Sequence, residues 1–194
     1  MRLTERQIFA ICWAALLGND FLFQAVSGQP GLIFIDYAVK LVLLVLLLGT
    51  PAPWEVFKPR QPSLASFLAL LAVAGVYLGL DHLSGSVPVL WKMFKWPVLD
   101  GPLFVLDQSF GLLLTAVSEE LIFRVLAFRV IGGTVALRVL LSALAFSAIH
   151  WGSGPGDLLG SFGFGLLAGW HYARFADVRL LIAAHFLIDL YLFW

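Results

Sequence analysis

The 194-residue chain is 61% hydrophobic and only 12% charged, with twelve basic against twelve acidic residues. Soluble domains carry about 25% charged residues, so this chain has too few charges to coat a water-facing surface, and lipid is the expected solvent over most of it. A net charge of zero excludes the basic face that a nucleic-acid partner requires, and the single cysteine, Cys12, excludes a disulfide framework within the chain.

A bilayer-spanning helix needs about 20 mostly apolar residues. Seven stretches are candidates: 7–27, 32–49, 64–80, 103–131, 133–150, 157–174 and 179–194. Arg2 and Arg6 precede the first, and Ala25-Val26-Ser27 resembles a weak signal-peptide cleavage site, but the length of the apolar run favours a retained helix. Pro51 and Pro53 close the second, and Ser63 is placed to N-cap the third. Between Asp81 and Asp100 the chain mixes Trp91, Lys92, Phe94, Lys95 and Trp96, a composition that suits a short helix at the membrane interface; a polar loop is the alternative. Pro102 opens the fourth stretch, Gly132-Gly133 separates the fourth from the fifth, and Gly152 to Gly156 separates the fifth from the sixth. Ser161, Gly165 and Gly169 recur at a spacing that lets a neighbouring helix approach closely.

The expected fold is therefore all-α: a polytopic transmembrane bundle of about seven spanning helices plus the interfacial one. With the N-terminus inside, Arg2, Arg6, Lys58, Arg60, Arg129, Arg138, Arg174 and Arg179 fall on the cytoplasmic side, and only Lys92 and Lys95 fall outside. This bias predicts a cytoplasmic N-terminus and an external C-terminus.

Polar groups inside a bilayer are costly, at about 2.5–3.5 kcal/mol for a charge at a helix centre, so each requires a reason. The fourth stretch carries Ser118-Glu119-Glu120-Leu121-Ile122-Phe123-Arg124, the fifth ends in Phe146-Ser147-Ala148-Ile149-His150, and the seventh carries His185 and Asp189. Glu120 and Arg124 share a helix face and are expected to pair, whereas Glu119 points about 100° away. His185 and Asp189 share a face, as do Phe146 and His150. At about 1.5 Å per residue, Glu119, His150 and Asp189 lie roughly 15–22 Å from the inner ends of their helices, with His185 one turn shallower, so all four are able to meet near mid-bilayer. A desolvated Glu119 beside the charge of Glu120 suits a general base and, near His150, a water activator. His185 and Asp189 are placed to hold a peptide carbonyl and stabilise its oxyanion; because a carboxylate donates only when protonated, Asp189 orients His185 in the alternative arrangement. No serine or cysteine is clearly paired with these histidines, which argues against a covalent nucleophile.

These three motifs, Glu119-Glu120…Arg124, Phe146…His150 and His185…Asp189, resemble in order those of the CAAX-protease and bacteriocin-processing family of intramembrane glutamic endopeptidases. The resemblance covers roughly residues 110–194. It implies metal-free peptide-bond hydrolysis within the membrane, with Glu119 as water-activating base, His150 assisting, and His185 with residue 189 as the oxyanion site. Asp189 stands where the best-known members have asparagine, which puts the donor role there in doubt. Prenylated substrates are not implied, since many members process other membrane-linked peptides. A single domain over 1–194 follows, with peripheral helices over 1–102 and a catalytic core over 103–194. The implied partners are the lipid bilayer and a membrane-anchored or lipid-linked protein substrate, and the implied location is a bacterial inner (plasma) membrane.

Other functions fit some of the same residues. Glu119, His150, His185 and Asp189 are legitimate zinc ligands, although no His-Glu-x-x-His helix is present. A small transporter or proton relay also uses buried Glu and His, but no internal repeat is visible. An inactive scaffold or immunity protein would bind peptides without cutting them. Elsewhere the residues have plainer explanations. Asp36 and Lys40 neutralise each other, Asn19 and Asp20 reach the interface, and Asp107 complements the helix dipole in a first turn. His82, His171 and Asp157 are surface groups, and Trp13, Trp54 and Trp194 are interface anchors.

Overall fold

The computed structural model describes residues 3–25, 31, 33–58, 63–84, 88–92 and 98–194. Among them there is no strand, and seven helices stand close to where the apolar stretches put them: α1 (Glu5–Ala25), α2 (Ile33–Leu47), α3 (Leu64–Ser84), α4 (101–130), α5 (Val135–Ala148), α6 (Pro155–Phe175) and α7 (Val178–Phe193). Arg2, Arg60, Lys95, Trp96 and the Val26-Ser27 part of the cleavage-site reading lie outside the described residues, as does the side chain of Asp20. Much of the expected interfacial helix lies outside them too; of the rest, residues 81–84 continue α3, and 88–92 and 98–100 are not helical.

The helix ends follow from local chemistry. At the start of α1, Gln7 N–H donates to Thr4 Oγ1 (3.3 Å) while Thr4 N–H donates to Gln7 Oε1 (2.9 Å), a reciprocal cap. Ser63 caps α3 through the Ser66 amide at 3.0 Å, Thr134 caps α5 through Leu137, and Asp177 caps α7 through Arg179. Helix α6 ends where Ala176 turns left-handed, at φ 51°.

Helix α4 is a composite. Its α-helical segments Gly101–Leu106, Leu112–Glu120 and Ala127–Val130 are joined by π turns at Asp107–Gly111 and Leu121–Leu126. Single π turns inside α-helices concentrate at functional sites, and here the second one directly follows Glu119 and Glu120. The first is shaped around a contact with α2: Tyr37 Oη donates to Asp107 Oδ1 at 2.8 Å. Asp107 is thus tied to α2 rather than serving a helix dipole, because α4 begins before the expected first turn, at Gly101.

The small residues of α6 do what their spacing predicts. A Cβ on Gly165 would lie 2.9 Å from Ala143 Cα, and one on Gly169 would lie 3.3 Å from Val139 Cγ1, so α6 packs tightly on α5. Behind this seam, Phe123, Phe146 and Phe164 join the core, with ring centroids 5.4 Å (Phe123–Phe146) and 5.8 Å (Phe146–Phe164) apart. Trp13 is no interface anchor. Its indole N–H donates to Ala145 O at 3.0 Å, tying α1 to α5. His171 is likewise buried rather than superficial, with Nε2 3.3 Å from Ser66 Oγ and 3.2 Å from Ser66 O; α6 continues past it to Phe175, so the residue faces α3 instead of a helix end.

Among the described residues no helix is both long enough and apolar enough to cross a membrane. Helices α2, α5 and α7 have 15, 14 and 16 residues, and the longer α4 carries Asp107, Glu119, Glu120, Arg124 and Arg129.

Gly111 makes room for the Tyr37–Asp107 contact, since a Cβ there would sit 2.6 Å from Asp107 Oδ1, 2.8 Å from Tyr37 Oη and 2.9 Å from Tyr37 Cε1. Gly111→Ala is expected to destabilise the protein by about 1–3 kcal/mol through overpacking, read as a lowered melting temperature in detergent. Removing the ring with Tyr37→Leu should shrink the effect of the alanine; an unchanged effect would place its cause elsewhere.

Candidate active site

The second π turn presents the two adjacent glutamates in different directions. Glu120 is wholly buried, and its Oε2 lies 3.1 Å from Arg124 Nε, with neither side chain exposed. The contact lacks hydrogen-bond alignment, so attraction between charges holds it. The expected i, i+4 pair is therefore present. Arg124 is also packed against aromatic rings, with Cζ 4.8 Å from the Phe146 centroid and 5.8 Å from that of Phe164.

The other carboxylate oxygen of Glu120 reaches across to α7, where its Oε1 stands 3.0 Å from His185 Nδ1. A carboxylate held by a guanidinium is an acceptor, so the imidazole donates from Nδ1. The ring's other nitrogen then faces Glu119 and Asp189: Nε2 is 3.8 Å from Glu119 Oε2 and 3.4 Å from Asp189 Oδ2. The result is a chain from Arg124 through Glu120 to His185 that fixes the imidazole and sets its Nε2 between two carboxylates.

His150 closes α5 at the turn Trp151–Ser153. Its Nδ1 lies 3.0 Å from Phe146 O; a carbonyl only accepts, so Nδ1 carries the hydrogen and Nε2 is the basic atom in the neutral ring. The His150 ring lies 4.8 Å from that of Phe146. A direct pairing of His150 with Glu119 is not seen among the described residues; His185 is the imidazole beside the carboxylates, because Phe146 and its carbonyl hold His150 on its own helix.

Glu119, His150, His185 and Asp189 line one cavity of about 590 Å³. Glu120 and Arg124 are behind its wall. The six candidate residues thus divide into four that face the space and two that support them. Among the described residues no group of three or more His, Cys, Asp or Glu is arranged to hold a metal ion.

The cavity lining also holds residues that sequence patterns did not single out for the site. Lys40 Nζ donates to Asp36 Oδ2 and to Thr115 Oγ1, each at 2.7 Å, and Asn19 Nδ2 donates to Asp36 Oδ1 at 2.7 Å. Asp36 and Lys40 do pair as their spacing predicts, but Asn19, Asp36 and Lys40 also line the cavity, together with Gln108 and Asp107. Asn19 is buried and bonded, not reaching an interface. The available signal was charge in an apolar helix; what packs across from it is a tertiary fact.

Residues 101–191 match the model of the type II CAAX prenyl endopeptidase Rce1-like family. Over this segment, a little under half of the chain, the sequence is similar to the CAAX-protease family. The match takes in all six candidate residues and leaves α1, α2 and α3 outside it. No curated protein and no solved structure matches the chain. That family is one of membrane proteases, and the match supports a peptidase activity and a membrane setting.

Arg124 is the only counter-charge paired with Glu120 other than His185 among the described residues. Arg124→Leu is expected to cost about 3–5 kcal/mol by leaving a buried charge uncompensated, measured by chemical unfolding in detergent. Adding Glu120→Gln should recover much of that loss, whereas simple additivity of the two changes would contradict the pairing.

Proposed function

We propose that this chain is an integral membrane endopeptidase of the glutamic type, cleaving a peptide bond of a membrane-anchored or lipid-linked protein with a glutamate-activated water. The observation that carries this reading is that Glu119, His150, His185 and Asp189 line a single cavity. Glu119 takes a proton from water as the water oxygen bonds to the scissile carbonyl carbon. His150, basic at Nε2, assists in orienting that water. The developing oxyanion is stabilised by His185 when Nε2 carries hydrogen. Asp189 then orients and balances the charge of His185 rather than donating to the oxyanion itself, a role that its 3.4 Å distance from Nε2 supports. As the C–N bond breaks, Glu119 returns its proton to the departing amine. No metal or other cofactor takes part.

A lipid setting is supported by the outer surface. Val42 and Val45 on α2, Leu48 just beyond its end, and Leu64, Leu68 and Leu71 on α3 are each more than half exposed, an apolar coat that water does not favour. The bundle as a whole, not each helix alone, is what lipid surrounds. Lysine and arginine placement supports a cytoplasmic N-terminus and an external C-terminus in a bacterial inner membrane.

Purified protein in lipid nanodiscs should cleave a membrane-anchored peptide substrate. Glu119→Gln should lower kcat at least about 100-fold while the melting temperature is kept. Metal analysis should find no stoichiometric zinc, and chelators should leave the rate unchanged. Full activity in Glu119→Gln would remove the general base, and bound zinc with chelator sensitivity would move the chemistry to a metal. In a Cys12→Ser background, single cysteines near each terminus should label from opposite sides of the membrane; labelling from one side would require an even number of crossings.

A further inference from the structure

Two amide side chains of the cavity lining have acceptors that the fold does not satisfy. Gln108 Oε1 on α4 and Asn19 Oδ1 on α1 are buried with no hydrogen-bond partner among the described residues, in residues only 6% and 4% exposed, and both residues line the cavity. Buried polar atoms are almost always bonded, and an exception asks for a ligand or a function. The Asn19 amide is also oriented: Asp36 accepts from its Nδ2 at 2.7 Å, and Asp36 is itself held by Lys40. The fixed carboxylate sets Nδ2 on its own side and so leaves Oδ1 as an acceptor. Gln108 offers the same atom type from α4.

The spacing along α4 relates this pair to the carboxylate site. Gln108, Leu112, Thr115 and Glu119 all line the cavity, one helical face over three turns. Gln108 precedes Glu119 by eleven residues, a separation of about 15 Å along the axis. An extended peptide advances about 3.3 Å per residue, so the distance matches four or five residues of substrate.

Resting on the peptidase reading, we propose that Gln108 and Asn19 form a backbone-binding subsite, which accepts N–H groups of an extended peptide four or five residues from the bond that is cut. Recognition of backbone rather than side chains gives this subsite tolerance of sequence and intolerance of any substrate lacking an amide hydrogen there. Helix α1, outside the family match, would thereby share the substrate-holding subsite with the start of α4, while the later part of α4 and α7 carry the reacting groups.

The test uses full-length protein in nanodiscs and an internally quenched peptide selected from a randomised hydrophobic library by its cleavage. A set of copies of that peptide is made, each N-methylated at one position. In the wild type, methylation four or five residues to one side of the cut should raise KM about tenfold with kcat unchanged, and the neighbouring position should be less sensitive. Gln108→Leu should show the raised KM with the unmodified peptide and no further penalty from methylation at that position. A wild-type scan with no penalty at that distance overturns the subsite without using any variant. So does a penalty that persists in full in both Gln108→Leu and Asn19→Leu. Absence of any cleavage that depends on Glu119 is a different failure, and it removes the peptidase reading and the subsite together.

Discussion

A carboxylate with no exposure, set between a guanidinium and an imidazole, is the constraint around which this protein is built. Glu120 lies 3.1 Å from Arg124 and 3.0 Å from His185. Burying a charge is unfavourable unless its partners are in place, so the fold is satisfied only when α4 and α7 meet in one register. That register brings both Glu119 and Asp189 up to the His185 Nε2, at 3.8 and 3.4 Å. The residue that makes the arrangement necessary is therefore not the one facing the cavity. Phe146 and Phe164 complete it by covering Arg124, so that the guanidinium is paired on one side and packed on the other.

The second polar layer follows the same logic with less burial. Lys40, Asp36, Asn19 and Thr115 connect α2, α1 and α4 by three bonds of 2.7 Å, and Tyr37 reaches Asp107 through the space that Gly111 leaves. These contacts draw the N-terminal helices against the family-matched segment, so that both parts of the chain line one cavity. The half without a family match is thus structurally continuous with the half that has one.

The helices were largely readable because apolar length, proline and glycine report on them directly. Ser63 and the Gly132-Gly133 break mark their boundaries by local chemistry alone. The pairing of Glu120 with Arg124 was readable for the same reason, since spacing of four fixes a shared face. Partners across helices were not. Nothing in the sequence distinguishes Gln108 from an ordinary polar residue near a helix start, and Asp36 with Lys40 already explain each other locally. His150, expected near Glu119, lines the same cavity, and its Nδ1 is bound to the Phe146 carbonyl, a backbone acceptor one turn away that the sequence alone does not single out. The π turns of α4 left no pattern that separates them from regular helix, and the surface assignment of His171 failed because α6 extends beyond it to pack on Ser66.

The most direct test of this account is the protonation and bonding of the His185 ring, read by side-chain nitrogen NMR on histidine-labelled protein, with His185→Asn used to assign its signals. The arrangement predicts a hydrogen-bonded N–H at Nδ1 whose resonance shifts in Glu120→Gln while the signals of His150 hold still. A ring hydrogenated only at Nε2, or one indifferent to Glu120→Gln, would contradict it.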